Sequence, residues 1–188
     1  MLDHIIASLN GNVLMVASSS SDKIFVLSQK AKEDFTIYGF IQMKGLIISL
    51  SFALKDNNLW ASAVLSNNLI QVAQLPTEKE QNRMIPVPND RTHTTFRKVD
   101  RGTNMIITSS LTPRFFVTGE DKYLKQYDLW PGESYEMLDW RKAPVQPNEE
   151  YMSHSIGTKC YHFSLALKKM ATGGKDGLVI VRDPANVR

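Results

Sequence analysis

The sequence predicts an all-β protein assembled from four repeated antiparallel sheets, and three observations carry that reading. Four segments (13–27, 59–75, 115–129 and 170–183) share one pattern: an apolar strand, a turn holding Asp or Asn, and a second apolar strand. Their turn residues, Asp22, Asn67, Asp121 and Asp176, are 45, 54 and 55 residues apart. No stretch of a dozen residues shows a 3.6-residue apolar period, and strands joined by short turns without crossover helices pair antiparallel. Residues 78–84 could make a single helical turn and no more.

Each element follows from local chemistry. Asp and Asn in the turns bond the backbone one or two residues on and tolerate the left-handed region. They are followed by Lys23, Asn68, Lys122 and Gly177, of which only Asn68 and Gly177 suit a positive φ. A strand precedes each unit: 4–9, 46–52, 105–110 and 160–165. Short polar turns, 10–12, 55–58, 112–114 and 168–169, link these to the next strand. A fourth strand follows the first three units, at 35–41, 94–99 and 134–138. The expected count is three four-stranded sheets and one of three strands. Residues 76–91 contain Pro76, Pro86 and Pro88, and residues 141–155 contain Pro144 and Pro147 with the acidic pair Glu149 and Glu150. Both read as inserted loops. The units so delimited are 4–41, 45–99, 103–139 and 156–188. A repeat of roughly 40–45 residues, lengthened by insertions, is the period of β-propeller blades.

The run Met170-Ala171-Thr172-Gly173-Gly174-Lys175-Asp176-Gly177-Leu178-Val179-Ile180-Val181-Arg182-Asp183 resembles the closing half of a WD repeat, with Arg182-Asp183 in place of Trp-Asp. Phe116-Val117-Thr118-Gly119-Glu120-Asp121 through Tyr127-Asp128 resembles it too, with Tyr for Trp. The first two units end in Leu27-Ser28 and Gln74-Leu75. The likeness covers nearly the whole chain as a pattern, and its third and fourth units specifically. It implies a β-propeller of WD-repeat type. It also implies a hydrogen-bonded set of His154, Thr172 and Asp176 that orders the fourth unit, with Asp100 near the corresponding place of the third. The segments Asp34-Phe35-Thr36-Ile37-Tyr38-Gly39-Phe40-Ile41 and Gly119-Glu120-Asp121-Lys122-Tyr123-Leu124-Lys125 are similar to the large cilia- and flagella-associated WD-repeat proteins. Those proteins tether dynein arms or radial spokes to doublet microtubules.

A propeller is a closed ring of about four to eight blades. The first unit begins with an inner strand and the last sheet lacks an outer one. The expectation is a piece of a larger ring, completed by more of the same polypeptide or by another chain, with a closed four-bladed ring as the remaining option.

Composition narrows the function. Lys and Arg total 22 against 19 Asp and Glu, a net charge of +3, and the basic residues are scattered beside acids. Nucleic-acid binders instead gather charge on one stripe, so no nucleic-acid partner is expected. Apolar runs such as 45–54 are too short to span a bilayer, the first ten residues lack a signal peptide's pattern, and no membrane partner is expected. Cys160 is the single cysteine. Read as a buried thiol, it suits a reducing intracellular compartment.

Chemistry is sparse. Gly173-Gly174-Lys175 lacks the first glycine of a phosphate loop, and the serines at 18–21 form a polar turn. Cys160 and His162, two apart on a strand, face one side, but nucleophilic catalysis needs an orienting acid and a metal needs further ligands. No catalytic residue, cofactor or metal is expected. Trp60 reads as core. Trp130, Trp140, Glu149 and Glu150 are the candidate partner-contacting residues. The expected function is a non-catalytic protein-interaction scaffold of the ciliary or flagellar axoneme. Its partners would be other axonemal proteins and, through them, tubulin. The alternative is a general adaptor that binds a peptide or protein in cytosol or nucleus.

Overall fold

The computed structural model describes residues 2–8, 11–29, 34–55, 58–75, 94–98, 103–108, 114–120, 122–128, 149–164 and 167–183. They form four antiparallel sheets. The first holds β1 (His4–Ala7), β2 (Val13–Ala17), β3 (Lys23–Ser28) and β4 (Thr36–Gln42) in that order. The second holds β5 (Ile47–Lys55), β6 (Asn58–Leu65), β7 (Leu69–Gln74) and β8 (Thr94–Lys98). The third holds β9 (Thr103–Thr108), β10 (Arg114–Gly119), β11 (Tyr123–Asp128) and β12 (Glu149–Met152), and the fourth β13 (Thr158–Ser164), β14 (Lys169–Gly174) and β15 (Val179–Arg182). Sequential strands are always neighbours, as short hairpin connections require. Successive sheets touch through their first strands, β1 beside β5, β5 beside β9 and β9 beside β13. Tyr161 of β13 reaches further and donates its hydroxyl to the Leu50 carbonyl of β5 at 3.0 Å.

The cores lie between sheets, because strands covered on both faces can be apolar on both. Met15, Ala17, Ile24, Val26 and Ile41 of the first sheet meet Ile47, Leu50, Ala61, Ala63 and Leu65 of the second, and all are buried. The small alanines of β6 let the larger side chains of the first sheet interdigitate, which keeps packing dense. Between the third and fourth sheets, Phe116 and Leu124 pack with Met170, flanked by Tyr151, Tyr161 and Phe163. Trp60 is buried, as its place on a second strand implies.

Two expectations do not hold in the structure. The fourth strand of the third sheet is Glu149–Met152, inside the stretch read as a loop at 141–155, and the third sheet therefore reaches residue 152 rather than 139. Residues 134–138, 141–148 and 76–93 lie outside the described residues. The acidic pair suggests a solvated loop, but an outermost strand tolerates charge on its solvent side. Glu150 stands opposite Lys125 and Tyr151 opposite Leu124, so charge meets charge on one face and apolar meets apolar on the other. Cys160 is exposed rather than buried, because it lies on the face of β13 opposite Tyr161 and Phe163. His162 shares that exposed face, so the predicted alternation of β13 holds.

Three sheets share an irregularity: the register slips at 47/49, 118/119 and 158/160. Each slip falls beside the hairpin turn and adds local twist. Gly157, just before β13, has φ +88°, and a Cβ there would lie 2.8 Å from the Glu120 carbonyl and 2.9 Å from that of Gly119. Gly157→Ala combines left-handed strain with collision against a backbone of the preceding sheet. The expected cost is about 1–3 kcal/mol, read as a lower urea midpoint. Leu50→Ala, which empties the space between the first two sheets, should cost about 2–5 kcal/mol.

Candidate functional site

Of the residues singled out in the sequence, His154, Thr172, Asp176 and Asn67 lie on one edge of the sheets, where hairpin turns meet the connectors that lead from one sheet to the next. In the fourth sheet His154 is fully buried, with both ring nitrogens engaged. Nδ1 lies 3.0 Å from Asp176 Oδ1 and Nε2 lies 3.0 Å from Thr172 Oγ1. In the tautomer with its proton on Nδ1, the ring donates to the Asp176 carboxylate and Nε2 accepts from the Thr172 hydroxyl. The second carboxylate oxygen, Oδ2, accepts from the Ser155 amide at 2.9 Å and the Ser155 hydroxyl at 3.3 Å, and Oδ1 also accepts from the Leu178 amide at 3.2 Å. Desolvation pushes the Asp176 carboxyl up, but the Ser155 and Leu178 amides and the His154 imidazole outweigh it and hold it at about 2. The set that the WD resemblance implies is thus assembled, and it ties a connector to a turn. A Cβ on Gly174 would run into the His154 ring and Asp176, so close approach of ring to backbone depends on that glycine.

The second sheet does the same with other residues. Asn67 Nδ2 donates to the Lys44 carbonyl at 2.9 Å, and Asn67 Oδ1 accepts from the Leu69 amide at 3.3 Å. Asn68, which follows, takes φ +62°, matching Gly177 at +78°. Gln71 completes the clamp: its Oε1 accepts from the Lys44 amide at 2.9 Å and its Nε2 donates to the Gln42 carbonyl at 3.1 Å. Sequence reasoning misses Gln71, because a glutamine within an apolar strand carries no spacing signal.

The first sheet reverses the polarity. Here Asp3, on the segment leading into β1, accepts from the Ser19 hydroxyl at 2.6 Å and the Ser19 amide at 2.9 Å in the turn. The hydroxyl bond first, and then the amide bond, hold its carboxyl below the usual range. Asp22, expected as the turn residue, gives way to Ser21, whose Oγ accepts from the Lys23 amide at 3.1 Å as Asn67 and Asp176 do two residues ahead. The reason is loop length. Ala17 pairs with Ile24 and the turn is one residue longer than in the second and fourth sheets, so alignment on the acid is out of step by one. Asp22 contributes its carbonyl, which accepts from the Met43 amide at 2.7 Å.

The two described connectors, at 43–46 and 153–157, are also gripped from the preceding sheet. Met43 N–H reaches the Asp22 carbonyl and Ile47 N–H the Ser21 carbonyl; likewise Ser153 N–H reaches the Lys122 carbonyl at 2.7 Å. Thr118 and Thr158 link the third and fourth sheets, hydroxyl to hydroxyl, at 2.7 Å. Asp100, Asp121, Trp130 and Trp140 lie outside the described residues. Glu149 is placed by its backbone in β12, and Glu150 is exposed there. The structure does not bring Cys160 and His162 to His154, since they occupy the opposite face of the fourth sheet. Among the described residues no group of three His, Cys, Asp or Glu side chains could hold a metal ion.

No protein-family model matches the chain, and no curated protein matches it. Among solved structures it is similar to the β-propeller domain of Cps50 (Swd1) from Myceliophteria thermophila, with 7% identity and a TM-score of 0.61 over 96% of this chain and 51% of that one. It is also similar to Sqt1 from Chaetomium thermophilum, with 16% identity and a TM-score of 0.58 over 98% of this chain and 44% of that one. The likeness establishes the fold, a WD40-type β-propeller. The chain spans about half the length of these structures.

Thr172→Val removes the donor to a buried imidazole nitrogen at nearly constant volume. It should cost about 1–3 kcal/mol in urea unfolding. The carboxyl of Asp176 is depressed from its ordinary 3.8 to about 2. Its contribution is therefore present above the unfolded value and lost as pH falls through the folded one. Asp176→Asn should lower the urea midpoint at neutral pH, and the gap to the unaltered chain should close between about pH 4 and pH 2.

Proposed function

We propose that this chain is a non-catalytic protein-interaction scaffold of the ciliary or flagellar axoneme, with other axonemal proteins as partners and tubulin reached through them. The observation that carries the scaffold reading is the clamped connector edge. The connectors at 43–46 and 153–157 are held between two turns by side-chain and backbone hydrogen bonds, yet each leaves an aliphatic side chain exposed, Leu46 and Ile156. A rigid backbone that presents apolar side chains to solvent binds with little loss of conformational freedom, and loops on a fixed framework are favoured binding positions. His154, the one buried imidazole among the site residues, has both nitrogens committed to holding the connector. The axonemal assignment rests on the likeness of segments 34–41 and 119–125 to the cilia- and flagella-associated proteins. Glu150, exposed on β12, is a further candidate contact, and Trp130 and Trp140 remain candidates from the sequence.

The test is fractionation of tagged chain in ciliated cells, followed by salt extraction of isolated axonemes. Retention on doublet microtubules supports the axonemal reading; recovery only in the soluble cytosolic or nuclear pool rejects it in favour of a general adaptor. Leu46→Asp with Ile156→Asp should release the chain from its partner at least tenfold, which corresponds to about 1.4 kcal/mol. Its thermal midpoint should stay within a few degrees of the unaltered chain. Undiminished retention of that variant would remove the connector edge as the binding surface.

A further inference from the structure

The serine run at 18–21 makes the longer turn of the first sheet, and its hydroxyls divide by role. Ser18 Oγ lies 2.8 Å from Ser20 Oγ and accepts from the Ser20 amide at 3.3 Å, and Ser21 Oγ accepts from the Lys23 amide. Ser19 reaches out of the turn: its hydroxyl and its amide are the two donors to the Asp3 carboxylate. The clamps of the other sheets are less exposed to chemistry. In the second, the clamping side chains are the amides of Asn67 and Gln71. In the fourth, Thr172 is buried and the Asp176 carboxylate draws on His154, the Ser155 amide and hydroxyl, and the Leu178 amide together. The first clamp is held by one residue, and its shortest bond, 2.6 Å, comes from an exposed hydroxyl. The donor itself is therefore open to covalent modification.

We propose that Ser19 is a phosphorylation site and that its phosphate opens the clamp on the segment leading into β1. Ser19 Oγ attacks the γ-phosphorus of a nucleoside triphosphate held by a kinase. The new O–P bond forms, the bond to the departing diphosphate breaks, and the hydroxyl proton passes to the kinase's base. Ser19 and Ser20 are the exposed serines of the run. Three residues beyond Ser19 stands Asp22, and three beyond Ser20 stands Lys23. From Ser18 to Asp22 the turn holds no basic residue, and the Asp3 carboxylate lies against it. The enzyme that fits is a serine kinase with a basic groove that reads a carboxylate on the C-terminal side of its target. Once esterified, Ser19 Oγ has no proton to donate, and the phosphate brings about −1.5 to −2 charges beside Asp3 and Asp22. Lys23 does not offset them, because its ammonium lies over the Phe40 ring, 5.3 Å from the centroid, and the adjacent His4 has its Nε2 buried. Like charge replaces a hydrogen bond, and Asp3 is left tied to the sheet by its amide, which donates to the Ala17 carbonyl at 3.1 Å. Exposed Leu2 moves with it. The effect on a partner rests on the reading of the connector edge as the binding surface; the modification and the opened clamp do not.

The test is incubation of the 188-residue chain with an acid-directed serine kinase and ATP, mass-spectrometric location of the phosphate, and amide hydrogen exchange followed residue by residue. The phosphate should be found on Ser19. The Ser19 amide should then exchange about tenfold faster, while the Ser155 and Leu178 amides, in the fourth sheet's clamp, keep their rates. Asp3→Ala removes the carboxylate and should speed the Ser19 amide to the same extent without phosphate, and phosphorylating that variant should add nothing. Asp22→Lys should slow modification of Ser19 about tenfold, because it places a cation where the basic groove expects an acid. No partner enters these readouts, so their outcome is separate from that of the connector edge as a binding surface. Phosphate on Ser18, Ser20 or Ser21 in place of Ser19, no phosphate on the run, or phosphorylated Ser19 with an unchanged exchange rate would each overturn the proposal. Undiminished modification of Asp22→Lys would overturn the class of kinase.

Discussion

The grip on the described connectors, at 43–46 and 153–157, is the constraint from which the remaining geometry follows. A sheet buried on both faces needs its neighbour at a set distance and offset, and here the connector sets both. On one side it bonds to carbonyls of the preceding turn, as Met43 does to Asp22 and Ser153 to Lys122. On the other it is held by side chains of the following turn, Asn67 and Asp176. Gly157 marks how close that passage is, with no room for a Cβ against the carbonyl oxygens of Gly119 and Glu120. Once the connector is seated, the strands it feeds begin in register with the apolar side chains they must meet.

The same mechanical task is met with three sets of residues. A buried His–Thr–Asp set serves the fourth sheet, two amides serve the second, and a carboxylate on the incoming segment serves the first. What persists is the pairing of a turn with a connector through a short polar side chain. The chemistry explains the freedom. A buried backbone group must be hydrogen-bonded, but carboxylate, amide and hydroxyl oxygens all accept from an N–H. The His154 set costs more to assemble, because each of its buried polar atoms must find a partner within the protein, and it places the firmest local demand on sequence.

Part of this architecture is legible in the amino-acid sequence. The positions and order of most strands follow from apolar runs and turn residues, and the His154–Thr172–Asp176 set from the resemblance of the fourth unit to a WD repeat, in which Arg182 stands in place of the tryptophan. The turn geometries at Asn68 and Gly177 follow from the residues' tolerance of positive φ. Asp22 misleads, because an acid marks the turn position only where hairpins have equal length, and this one is a residue longer. Glu149 and Glu150 mislead, because charge does not require irregular structure: the outermost strand of a sheet is half in solvent, and Tyr151 beside them carries the apolar face.

By itself the sequence determined most of the strands, most of the turns and that neighbours pair antiparallel, because those depend on contacts within a few tens of residues. Tertiary structure alone decided which polar side chains clamp the connections of the first two sheets, that Gln71 is part of that clamp, that Cys160 faces outward, and which positions are buried between sheets. Those properties arise from contacts between sheets, among residues as far apart in sequence as Tyr161 and Leu50, 111 positions apart. At that separation the linear pattern of apolar and polar residues carries no information about partners, and burial depends on whether a neighbouring sheet is there to cover the face.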